Sequence, residues 1–224
     1  MKFNYPDMST HPVRGMRFYE NAESGKFYPS ITTILGGTQS EEKKASLQKW
    51  QTSLGVSKAA AVTKAAADNG TAVHLLTERY LKKEELVQKG DTFTQADMAG
   101  FNALKLKLNK IEEVWGQEMA MYSDLLEIAG RCDCVGVYRG KPCIIDFKTS
   151  MRLKTKEQIE DYKLQVCAYS IMHNEMFGTE IVDGMILMTS AGGFPQEFHV
   201  NLLDYVEPLI ERVDAFYQKL SLTL

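Results

Sequence analysis

Two carboxylates and a lysine stand where strands would aim them at one place. Gly130-Arg-Cys-Asp133 sets an acid inside an apolar run, and Cys143-Ile-Ile-Asp146-Phe-Lys148-Thr149-Ser150 ends a second apolar run on an acid, with a lysine two residues on. Side chains alternate along a strand, so Asp146 and Lys148 share a face and Phe147 points to the other. Carboxylate oxygens suit Mg²⁺ or Mn²⁺. An ammonium beside them can orient water and neutralise charge on a phosphate. This is the chemistry of phosphodiester cleavage. The alternative is a surface acid and lysine at a strand end, but an acid closing so apolar a run needs a partner.

Other residues could join this set. Glu118 opens the strand before Asp133, where it either completes the acids or is an ordinary strand-edge glutamate. His74 lies on an apolar helical face with Glu78 one turn later to orient it, although such a histidine is commonly just packed. Gln165 and Tyr169 stand at i,i+4 on one helix face, an amide beside a phenol or the edge of an amphipathic core. Ser30, after Pro29, is placed to cap a short helix ending at Gly36-Gly37. Its free N–H groups and the hydroxyls of Ser30 and Thr32 could hold a phosphate, and a capped helix with no further role is the simpler account.

The 224 residues, 44% hydrophobic, suit one domain spanning 1–224, with a hairpin and helical lobe over 1–116 and an α/β core over 117–224. The formal net charge of −3 excludes a globally basic nucleic-acid binder and leaves room only for a local basic stripe. No apolar stretch approaches the ~20 residues of a membrane span. The N-terminus has no apolar signal core and carries acids, so neither a secretory nor a transit peptide is expected. The expectation is a cytoplasmic protein of a bacterium or a phage-infected cell. Cys132, Cys134, Cys143 and Cys167 form no Cys-x-x-Cys pair and read as buried thiols. With Asp133 facing the site, Cys132 and Cys134 should both face away.

The pattern predicts a hairpin over 15–28, a short helix after Ser30 and a helix over 40–55 with Leu47, Trp50 and Leu54 inward. An alanine-rich helix from Ser57 to about Asp68 should break at Asn69-Gly70 before a second helix carrying His74 to Leu81. A helix over 94–115 places Met98, Phe101, Leu104, Leu108, Ile111 and Trp115 on one face. The period then changes to two, with strands at 118–122, 125–138 and 142–147, a helix over 156–176, strands at 184–189 and 194–200, and a last helix from about Asp204.

Taken in order, Gly70-Thr-Ala-Val-His74, Glu118, Gly130-Arg-Cys-Asp133, Asp146-Phe-Lys148-Thr149 and Leu164-Gln165-Val-Cys-Ala-Tyr169 resemble the motif series of RecB-like nucleases of the PD-(D/E)XK superfamily. Pro29-Ser-Ile-Thr32, Leu47-Gln-Lys-Trp50 and Gly70-x-x-x-His74-x-x-x-Glu78 are similar to segments of the mitochondrial genome maintenance exonuclease family. The likeness runs from about residue 28 to 190. It implies an α/β fold with a mixed central sheet flanked by helices, plus an N-terminal helical lobe able to arch over single-stranded DNA. It implies that Asp133, Asp146 and the Phe147 carbonyl bind one or two Mg²⁺ or Mn²⁺ ions, with Glu118 and His74 contributing and Lys148 catalytic. Gln165 and Tyr169 would support the site or contact DNA, as would Ser30, Thr32, Lys49 and Thr149. The cysteine layout of the related iron–sulfur nucleases is not present, so no cluster is expected. Lys43, Lys44, Lys49, Lys58 and Lys64, or Lys105, Lys107 and Lys110, could steer a phosphate backbone, although solvated helix faces explain each singly. The expected activity is a metal-dependent DNA exonuclease preferring single strands or free ends, acting in repair or recombination. The alternatives are a structure-specific endonuclease on the same core or a non-catalytic DNA-end-binding protein.

Overall fold

The computed structural model describes residues 2–222, in the order β1 (Met8–Val13), β2 (Met16–Asn21), β3 (Phe27–Pro29), α1 (Ile31–Gly37), α2 (Glu41–Leu54), α3 (Val56–Leu81), α4 (Gln95–Leu108), β4 (Ile111–Ser123), β5 (Ile128–Tyr138), β6 (Lys141–Ser150), α5 (Glu160–Phe177), β7 (Asp183–Ser190), β8 (Pro195–Asn201) and α6 (Val206–Ser221). Strands β4 to β8 form one mixed sheet in sequence order, antiparallel except where β6 runs parallel to β7. A parallel neighbour requires a crossover, and α5 supplies it.

Helices cover both faces of the sheet. Ile144, Ile186 and Met188 pack toward α1, α5 and α6, whereas Cys143, Ile145, Phe147 and Leu187 pack toward α3 and α4. Burial on both sides explains why Cys143-Ile-Ile and Met185-Ile-Leu-Met read as unbroken apolar runs. Burying each large side chain contributes about 1.5–3 kcal/mol. Asp146 shares the face of Ile144, so it arrives inside a packed layer and is fully buried. The small sheet β1-β2-β3 packs Met8, Tyr19 and Tyr28 against Ala120 and Ala129 of the large one.

The expected hairpin is β2–β3, and β1 adds a strand that its polar Ser-Thr-His-Pro sequence did not announce. Three other expectations are corrected. Asn69-Gly70 does not interrupt α3, which is continuous over 26 residues. The Asn69 amide donates to Asp97 at 2.6 Å, and Val73 and Leu76 bury against α4, so tertiary contacts outweigh the low helix propensity of the pair. The 94–115 helix ends at Leu108, because Ile111 and Trp115 belong to β4. Two register shifts between Ile111 and Gly116 put these residues in different cores at a spacing that imitates a helix. Helix α2 buries no residue fully: Leu47 is 51% exposed, whereas Trp50 and Leu54 are half-buried. Among the described residues, no helix is long and apolar enough to cross a membrane.

The β4 irregularity is held by Gly136, where an added Cβ would lie 2.1 Å from the Glu113 carbonyl oxygen. Replacement Gly136→Ala must push two sheet backbones apart. We expect a loss of roughly 1–3 kcal/mol, read from urea melts.

Candidate active site

Three elements meet where β5 and β6 part. The β5–β6 ladder ends at the Cys134–Ile145 pair. One residue beyond it, Asp133 Oδ2 accepts the Phe147 N–H at 2.8 Å, so a side chain replaces a ladder hydrogen bond. The strands separate there without leaving that N–H unpaired. Cys132 packs in the α5-side core and Cys134 in the α3-side core, so the expected alternation fails across Asp133.

Glu118 stands opposite Asp133 between the pairs Gln117–Cys134 and Met119–Cys132, with a left-handed backbone at φ +51°. Such a conformation costs a glutamate of order 1–3 kcal/mol. The Arg131 guanidinium donates to the Glu118 carbonyl at 2.9 Å and holds it. Helix α3 delivers His74, whose Nε2 lies 2.8 Å from the Phe147 carbonyl oxygen. A carbonyl only accepts, so Nε2 carries the hydrogen and a neutral ring presents the Nδ1 lone pair. Nδ1 is 3.7 Å from Asp133 Oδ1. Ligand atoms of His74, Glu118 and Asp133 all lie within 4.8 Å of one another.

Burial and the neighbouring Asp133 push the Glu118 carboxyl up to about 7. A carboxyl so held in a cleft is a mark of functional sites. Asp146 is completely buried, and burial raises its carboxyl against the pull of Lys148. Lys148 Nζ lies 2.7 Å from Oδ1 and 2.6 Å from Oδ2, but only Oδ1 is in hydrogen-bonding geometry, leaving Oδ2 buried without a hydrogen bond. Burial lowers the Lys148 ammonium, but Asp146 and Asp133 outweigh it and the net shift is upward. Lys148 also lies over the Tyr162 ring, 5.2 Å from its centroid.

A cleft of about 190 Å³ opens over the cluster, lined by Ser30, Thr32, His74, Glu118, Asp133, Gln165 and Tyr169 together with Arg17, Tyr19 and Arg131. The Gln165 amide donates to the Tyr169 hydroxyl at 2.9 Å, and Gly130 is where the backbone passes under that ring, since a Cβ there would lie 2.7 Å from Tyr169 Cε1. Ser30 caps α1: its hydroxyl accepts the Thr33 N–H at 3.1 Å and is itself buried. Thr32 is exposed in the cleft wall. Thr149 lies instead in a separate cavity of about 370 Å³ with Ala65, Asn69 and Ser190. Lys49 is exposed on α2 and does not line the cleft. Most of the other singled-out lysines have acidic partners: Lys43 pairs with Asp161, Lys44 with Glu41, Lys64 with Asp68, and Lys107 and Lys110 with Glu197. Arg17 was not foreseen. Its β2 position gives no motif, whereas Arg131 sits inside Gly130-Arg-Cys-Asp133.

The sequence is 30% identical over 178 residues, 76% of this chain, to mitochondrial genome maintenance exonuclease 1 of Mus musculus. The chain is a homologue of the mitochondrial genome maintenance exonucleases. The Xenopus tropicalis protein of that name is 30% identical over 184 residues and the Homo sapiens protein 27% over 178, each match again covering 76% of this chain. The chain spans about half the length of these exonucleases, 52%, 51% and 52% in turn. No family model matches it. A solved structure from Eubacterium rectale covers 67% of this chain and 66% of its own at a TM-score of 0.44 and 12% identity, a likeness too slight to carry weight.

The residues brought together fit a divalent ion. Glu118 and Asp133 offer hard oxygens, His74 offers Nδ1, and Asp146 has a buried oxygen lacking a hydrogen bond. Without metal, the raised Glu118 carboxyl favours the folded state while protonated. That contribution is complete below the ordinary value of 4.5 and is lost as pH rises through about 7. In chelator at pH 8, Glu118→Gln should therefore melt higher than the unsubstituted protein. We expect a gain of about 1 kcal/mol, allowing for solvent screening of a part-exposed group. The gain should vanish at acid pH and reverse when Mn²⁺ is added.

Proposed function

We propose that this chain is a metal-dependent deoxyribonuclease that removes nucleotides from free ends, preferring single-stranded DNA. The observation that carries the reading is the convergence of His74, Glu118 and Asp133 within 4.8 Å beside the buried Asp146–Lys148 pair. The likeness to proteins named exonucleases supports the end-directed activity. Mg²⁺ or Mn²⁺ would be held by His74, Glu118, Asp133 and Asp146, with the Phe147 carbonyl at hand. When bound, the ion supplies positive charge to the phosphate and acidifies water.

The chain's residues do the rest. Asp133 fixes the Phe147 backbone through one oxygen and leaves Oδ1 for the cluster. His74, tied to the Phe147 carbonyl through Nε2, keeps Nδ1 aimed at the same space. Lys148 is held as a cation by Asp146, so it serves as a hydrogen-bond donor rather than a base. It orients the entering water and stabilises charge on the phosphate oxygens. Hydrolysis forms one bond from the water oxygen to phosphorus, breaks one phosphorus–oxygen ester bond, and leaves the departing sugar oxygen with a proton. Gln165 and Tyr169 form the α5 side of the cleft and set where the strand lies.

The test uses end-labelled single- and double-stranded DNA and a covalently closed single-stranded circle, with Mg²⁺ or Mn²⁺. Linear single strands should shorten and the circle should persist. Lys148→Ala should lower the rate at least ~10²-fold and leave binding intact. Asp133→Asn should abolish both turnover and the rise in melting temperature that Mn²⁺ produces. Equal cleavage by the protein and its Lys148→Ala variant would sink this mechanism. Cleavage of the circle would instead make the protein an endonuclease.

A further inference from the structure

The cleft over the acidic cluster does not end at its acids. Arg17, Tyr19 and Arg131 line it and also line a second, more open cavity of about 480 Å³ completed by Thr10, Pro12, Gly15 and Met16. Among the described residues, no carboxylate lines this second cavity. In a chain with 29 acids and 26 bases, a space faced by two guanidinium groups and no acid runs against the overall balance.

Arg79, Arg139 and Arg212 each meet a carboxylate: Asp91, Glu197 and Asp161. Among the described residues, Arg17 and Arg131 form no ion pair with a carboxylate, although Arg131 lies near enough to draw the Glu118 carboxyl down; Arg14 and Arg152 are likewise unpaired but line neither cavity. The Arg17 side chain makes no hydrogen bond among the described residues, yet its backbone is fixed on both sides: its N–H donates to Thr33 Oγ1 at 3.1 Å and its carbonyl accepts from the Ser30 N–H at 2.8 Å. Arg131 spends one nitrogen on the Glu118 carbonyl and keeps further donors for the cavity. A guanidinium presents its donors as a planar fork that matches the oxygens of a phosphate.

We propose that Arg17 and Arg131 form a phosphate subsite that grips the DNA backbone next to the phosphate being cut, so that the strand runs from the acidic cluster over Tyr19 onto the β1–β2 sheet. This rests on the nuclease reading for the identity of the ligand, while its own evidence is the arginine-lined cavity. Arg131 has a second duty, because the carbonyl it holds belongs to the residue with the left-handed backbone beside Asp133. Arg17 has no such duty and isolates the subsite.

The experiment measures binding of a fluorescent oligothymidylate in chelator across a series of salt concentrations, and separately the cleavage of the same oligonucleotide with Mn²⁺. Each phosphate contact on a single strand contributes about 0.7 to the slope of log affinity against log salt. Arg17→Gln should flatten the slope by about that amount and weaken binding roughly tenfold. Arg17→Lys should restore the slope but only part of the affinity, since it returns the charge without the fork. Arg131→Gln should flatten the slope similarly and, unlike Arg17→Gln, raise the Mn²⁺ concentration needed for cleavage. Lys141→Gln, an exposed lysine outside both cavities, should leave the slope unchanged.

An Arg17→Gln protein with unaltered slope and affinity overturns the subsite, as does an equal flattening by Lys141→Gln. If the protein shows the Arg17-dependent slope but cleaves nothing, the subsite stands and the nuclease reading fails. If the unsubstituted protein does not bind the oligonucleotide in chelator yet cleaves it with Mn²⁺, the subsite fails and the nuclease reading stands; if it neither binds nor cleaves, both fail.

Discussion

One hydrogen bond organises the site: the Asp133 carboxylate receiving the Phe147 N–H. Sheet strands remain paired because an unpaired buried backbone group is costly. Opening β5 from β6 would ordinarily incur that cost, and Asp133 offsets it with its own side chain. The same carboxylate faces His74, lies opposite Glu118 and bears electrostatically on Asp146. The gap between the strands and the acid set into it therefore arise from one residue. Losing it would remove a charge and also the means by which the sheet tolerates being split.

Around this point the protein concentrates groups that oppose one another. Burial penalises Asp146 and Lys148, which offset each other as an ion pair, and Glu118 sits beside Asp133 with its carboxyl pushed upward. The backbone at Glu118 adds conformational strain. Removing one partner of a buried pair is far worse than removing both, so the acids, the lysine and the histidine act as a set. Packing of Ile144, Ile145, Ile186 and Leu187 on the two sides of the sheet provides the stability that such a set consumes.

Much of this was legible in the residues. The Asp-x-Lys at the end of an apolar run identified Asp146 and Lys148 because burial on both faces writes itself into sequence as a continuous apolar strand. Ser30 and the Gln165–Tyr169 pair followed from capping and helical spacing, and the structure puts all three in the cleft wall. What escaped was long-range or irregular. Asn69-Gly70 looks like a break because propensity is local, while the contacts that keep α3 helical come from Asp97 and α4. The Ile111–Trp115 spacing imitates a helix because register shifts disturb the period of two. The reversal between Cys132 and Cys134 is invisible without the partner strand. Arg17 is placed by a small sheet whose first strand is polar and carries little pattern.

The continuity of α3 has a mechanical meaning. A helix of 26 residues is a rod about 39 Å long. Its alanine-rich beginning is largely exposed and meets α2, and nearer its other end His74 reaches the Phe147 carbonyl. A hinge at Asn69-Gly70 would let the outer part move without disturbing the imidazole. An unbroken rod transmits tilt instead. The outer part of α3 and the imidazole therefore belong to one continuous element, pinned to α4 between them by Asn69 and Val73.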